Sequence, residues 1–66
     1  MRGEEGWLKR AAEQSYAADQ DRGGAPLSWL AAAVVNKNTA IERYGQAAWD
    51  AAYARAAFYA NTPTRD

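Results

Sequence analysis

Apolar positions recur at helical spacing along nearly the whole chain, and the two-residue alternation of a half-buried strand is almost absent. In the first segment Trp7, Leu8, Ala11, Ala12, Ser15 and Ala18 project to one side at about 100° per residue, with Lys9, Glu13 and Gln20 opposite. This predicts an amphipathic helix over 4–21. Glu4 and Glu5 suit the positive end of its dipole, Glu5 and Lys9 form an i,i+4 pair, and Gly23-Gly24 with Pro26 ends it.

The second predicted helix covers 27–35, with Ser28 as a candidate cap. Leu27, Leu30, Ala31, Val34 and Val35 make one stripe, while Trp29, Ala32 and Ala33 cover the other side, so the segment is apolar nearly all round. Such a helix is normally covered on both faces. Asn36-Lys37-Asn38 reads as a break, and Thr39-Ala40-Ile41-Glu42 fits a capping box that opens a third helix over 40–60. Gly45 inside it costs about 1 kcal/mol and is expected to be tolerated. Its stripes are Ile41, Tyr44, Ala48, Ala52 and Tyr59, then Trp49, Tyr53, Ala56 and Ala60 beside them, with Glu42, Arg43, Gln46 and Asp50 as the wet face. Residues 61–66 read as a frayed tail. The expected fold is all-α: a single domain over 1–66, a small three-helix array with two shorter helices packed on a long C-terminal one.

Composition makes that array thin. Seventeen of the 66 residues are alanine, and only Leu8, Leu27, Leu30, Val34, Val35, Ile41 and Phe58 are large aliphatics or Phe. That is roughly a tenth of the chain, against the ~20% below which a chain struggles to build its own core. A domain of this length gains only a few kcal/mol from a single core in any case. The missing bulk has to come from three Trp and four Tyr. Aromatics bury large areas and are also the residues that anchor interfaces. Trp29, Trp49, Tyr53 and Phe58 fall outside the simplest intramolecular stripes, and Arg55 projects between Tyr44 and Ala48, a guanidinium inside an apolar stripe. These five are the candidate partner-binding residues. The alanine ladder Ala40, Ala48, Ala52, Ala56 and Ala60 would let a neighbouring helix approach closely.

Charge and chemistry narrow the function further. Eight basic residues balance eight acidic ones, so no long-range field draws the chain onto nucleic acid or an anionic surface. Without His or Cys there is no imidazole base, thiolate nucleophile, disulfide or common zinc ligand, so catalysis, a metal site and a cofactor are not expected. Asp19 and Asp21 before Gly23-Gly24 lack the alternating ligand spacing and terminal Glu of a calcium loop. The longest uncharged run, 23–36, has fourteen residues and contains Pro26, short of the ~20 that span a bilayer. The 22 residues ahead of it are mixed in charge, unlike a basic secretory leader, and a cytoplasmic location is expected.

The expectation is therefore a small non-enzymatic protein-interaction module, an accessory, inhibitor or regulatory subunit docking on a larger protein or on its own copy. An alternative rests on the stretch Leu30 to Tyr44. Its small-residue helix followed by Val35-Asn36-Lys37-Asn38-Thr39 resembles the helix-turn-helix of bacterial repressors of the GntR class. That resemblance implies a DNA-binding regulator in which Asn36, Lys37, Asn38, Thr39 and Arg43 face the groove.

Overall fold

The computed structural model describes residues 2–21 and 23–61, with side chains from Gly6 onward. Three helices follow one another: α1 (Arg2–Gln20), α2 (Leu27–Tyr44) and α3 (Gln46–Asn61). There is no strand among the described residues. Every pair of helices is in contact. The array measures 34 × 30 × 19 Å, and a thickness of about two helix diameters leaves each helix an outward side. The expected Glu4 and Glu5 dipole contacts, the Glu5–Lys9 pair and the tail beyond Asn61 lie outside the described residues.

The α1–α2 connection is organised by one carboxylate. Asp21 accepts hydrogen bonds from the backbone N–H groups of Gly23 (2.9 Å), Gly24 (3.2 Å) and Ala25 (3.0 Å). Gly23 sits at φ +96°, a region that favours glycine. Pro26, in extended conformation, is the N-cap of α2, and its carbonyl accepts from the N–H groups of Trp29 and Leu30, both at 3.1 Å. No side chain caps this helix. Ser28, expected as the cap, is already inside the first turn.

The largest departure from expectation is the position of the second break. Residues 36–38 are continuous helix, the Thr39–Glu42 capping box is not used, and α2 runs on to Tyr44 before the chain turns at Gly45. The three helices consequently have similar lengths of 19, 18 and 16 residues. Gly45 stands at φ +94° and keeps its own two backbone groups paired through the turn. Its N–H donates to the Ile41 carbonyl (2.8 Å), and its own carbonyl accepts from the Trp49 N–H (3.1 Å). A break at 36–38 would give up ladder bonds in exchange for one capping box, which is worth about 1 kcal/mol. Turning at Gly45 likewise leaves the Gln46, Ala47 and Ala48 N–H groups without a backbone partner, so ladder bonds alone do not separate the two breaks. The turn at Gly45 lets Ala33 and Ala40 share the inner side of α2, and lets Asn36 donate to the Gln14 side chain of α1 at 2.8 Å.

Because Gly45 separates the two elements, a stripe projected from Ile41 through Tyr59 does not exist. The inward face of α3 centres on the neighbouring stripe, with Trp49 and Ala56 buried and Tyr53 partly buried, but it takes in Ala52 from the first stripe and leaves Ala60 exposed. The inward side of α1 follows the sequence pattern, with Ala11, Ala12 and Ser15 buried. The core cluster is Ala11, Ala12, Ala40, Trp49 and Ala56, with Trp7, Leu8, Tyr16, Ile41, Tyr44 and Tyr53 packed around it. One indole among alanines forms the buried centre, and the half-buried side chains around it complete the contact between the three helices.

Candidate interaction surface

Burial is distributed in an unusual way. None of the seven Leu, Ile, Val and Phe residues is buried. Leu27 is 83% exposed, Val35 60%, Val34 58% and Phe58 63%, with Tyr59 at 65% beside it. Alanine occupies the interior, Leu8, Leu30 and Ile41 are half-buried, and Leu27, Val34, Val35 and Phe58 are left on the outside, the reverse of ordinary preference.

On α2 these residues form one stripe. At about 100° per residue Leu27, Ala31, Val34, Val35, Asn38 and Glu42 fall within an arc of about 100°, opposite the buried Ala33 and Ala40. All six are exposed. On α3 the outward positions Ala47, Ala51 and Ala54 lead to Phe58, whose ring meets Tyr59 edge-on at 5.4 Å. Between α1 and α3 lies an open groove of about 430 Å³, lined by Leu8, Ala48, Ala52 and Tyr59 together with the exposed Lys9 and Arg55.

A polar cluster on the α1–α3 contact fixes that pairing. The Tyr53 hydroxyl donates to Asp19 at 2.5 Å, its ring meets Tyr16 edge-on at 5.8 Å, and the Asn61 amide donates to the Tyr16 hydroxyl at 2.8 Å. The hydrogen bond to Asp19, with desolvation and the nearby carboxylate charge, pushes the Tyr53 phenol up to about 12. At the opposite end of α1, Trp7 packs against Tyr44 at 6.3 Å and carries the Arg43 guanidinium 5.5 Å above its ring. Among the described residues no group of three or more acidic side chains could hold a metal ion.

The sequence-predicted partner residues do not form one exposed surface, although the rings of Trp49 and Tyr53 meet at 6.3 Å. Trp49 is 3% exposed and belongs to the core, so as folded it faces no partner. Trp29 is half-buried beside Trp7, Arg10, Gln14 and Asn36. Tyr53 is held by Asp19, Tyr16 and Trp49. Arg55 and Phe58 are exposed on α3. The four residues at which the apolar surface concentrates besides Phe58 are Leu27, Val34, Val35 and Tyr59. A signal for three of them was available: a helix apolar on every side has one face left over when only two neighbours pack on it.

The residues of the DNA-binding alternative lie on one uninterrupted helix. Asn36 is committed to Gln14, Thr39 is mid-helix and Arg43 is committed to Trp7. The turn that opens a recognition helix in the repressor motif is missing here, because the chain bends at Gly45 instead. Among the described residues no helix is long and apolar enough to cross a membrane.

No family model, curated protein or solved structure matches this chain.

Proposed function

We propose that the chain is a small protein-interaction module whose docking surface is the outward face of α2, with Leu27, Val34 and Val35 as its apolar anchors. The observation that carries this reading is the inverted burial: alanine inside, and four of the seven largest aliphatic and Phe side chains more than half exposed. Three of those four belong to one helical stripe, which a partner would cover in one contact. Exposed side chains scattered singly need no explanation, whereas a stripe of them on one face marks a docking surface.

The mechanism is passive. A partner covers the α2 stripe, adds apolar burial that the alanine core lacks, and stabilises the module by mass action. Phe58 and Tyr59 on α3 offer a second anchor point of the aromatic type found in interface hot spots. No step of this reading calls on nucleophiles, metals or cofactors.

The experiment is site-specific photo-cross-linking in the native host, with the photoreactive residue at Val35, at Phe58 or at the exposed polar position Glu13. A discrete adduct of defined mass from position 35, formed with a second copy or with another protein, and absent from position 13, is the expected result. Equal and diffuse labelling at all three positions would remove the reading.

A further inference from the structure

We propose that the occupant of the α2 stripe is the same stripe of a second copy, paired antiparallel about a two-fold axis between Val34 and Val35. This rests on the interaction reading above and goes beyond it by naming the partner. In such a pair residue 34 of one copy stands beside residue 35 of the other, residue 31 beside 38, and residue 27 beside 42. A two-fold interface requires a patch complementary to itself, and three features of α2 meet that requirement.

The first is shape and polarity. Val34 and Val35, both more than half exposed, occupy the centre, and the small residue Ala31 on each side lets the helices approach closely. The second is the absence of like-charge conflict over the apolar part of the stripe, since no residue from Gly23 to Asn36 is charged. The third is charge complementarity at the ends. The N-terminus of α2 has no acidic residue in its first turn and no side-chain cap, so among the described residues the Leu27 and Ser28 N–H groups are left for an acceptor from outside. Glu42, exposed on the same stripe fifteen positions further on, is the residue that this register sets against the partner's first turn. The two-fold axis repeats that contact at both ends. A parallel pair would stack Glu42 on Glu42 and leave both N-termini uncovered.

The test is the mass of the intact chain by sedimentation equilibrium across a wide concentration range, with exposed-site variants that leave the monomer fold alone. Wild type is expected to form dimers. Val34→Lys, which places two ammonium groups at the axis, should be monomeric with unchanged helical circular dichroism. Glu42→Lys should weaken the dimer about ten-fold by turning two attractions into repulsions. Adding Ser28→Asp to Glu42→Lys should recover most of that loss. The chain has no native cysteine, so single cysteines report the register directly. Val34→Cys should oxidise to a cross-linked dimer. Ala31→Cys and Leu27→Cys should not, because their copies lie about 10 and 22 Å apart along the axis at 1.5 Å per residue. A monomer at every concentration overturns the proposal. So does a dimer indifferent to Val34→Lys, or equal cross-linking at 27, 31 and 34. An adduct to a different protein from position 35 in the host, with a monomeric wild type, overturns self-pairing while leaving the docking surface in place.

Discussion

The hydroxyl of Tyr53 on α3 and the carboxylate of Asp19 on α1 meet at 2.5 Å across 34 residues of sequence, tying the last turns of α1 to the middle of α3. The phenol gains the bond only while it keeps its proton, and its pKa rises from 10.0 to about 12. Below about pH 10 the bond contributes in full, and as pH rises through 12 that contribution is lost, because the unfolded chain ionises first. Tyr53→Phe should flatten the fall in stability over that window, and Asp19→Asn should return the titration of Tyr53 towards 10. Ultraviolet titration of the tyrosines and alkaline unfolding curves check both.

Gly45 and Thr39 make opposite predictions that locate the break. Gly45→Ala places a Cβ at φ +94° in open space, so only backbone strain opposes it, at a cost of about 1–2 kcal/mol. Thr39→Ala removes no cap, since Thr39 is mid-helix, and exchanges a β-branched residue for the best helix former, for a change within about 0.5 kcal/mol of neutral or slightly stabilising. If the capping box opened a helix at residue 40, Thr39→Ala would be the costly variant. Chemical denaturation of the pair decides.

Among the described residues Trp49 is the only large side chain in the buried core cluster. Its replacement by Ala is expected to cost about 3–5 kcal/mol, comparable to the whole stability of a domain this small, and to unfold it. Trp29→Ala, at a half-buried position, should leave a folded protein with a lower melting temperature. Circular dichroism on heating separates the two.

Leu27→Gln and Val35→Gln remove apolar groups that water already reaches, so each should change unfolding free energy by less than about 0.5 kcal/mol in the monomer. The same pair should raise solubility. A large loss of monomer stability would show that these side chains are covered within the chain.

Much of the architecture was legible in the amino acids. Alanine interleaved with Glu, Gln, Lys and Arg dictated helices, and the α1 pattern placed Ala11, Ala12 and Ser15 correctly on the inner side, because helical periodicity is a local property that survives packing. The shortage of aliphatic bulk was equally visible from composition. What the pattern left open was the competition between two adjacent breaks. Asn36-Lys37-Asn38 with its capping box and Gly45 are each plausible by local energies, and they differ by only about 1 kcal/mol. Tertiary packing decided between them: running α2 through to Tyr44 brings Ala40 into the core, joins Asn36 to Gln14 and folds Trp49 inward after the glycine turn. That choice reset the phase of every residue after Gly45. It therefore decided which aromatic became core, which apolar stripe was left facing water, and where Arg55 lies, none of which a projection along a single uninterrupted helix could contain.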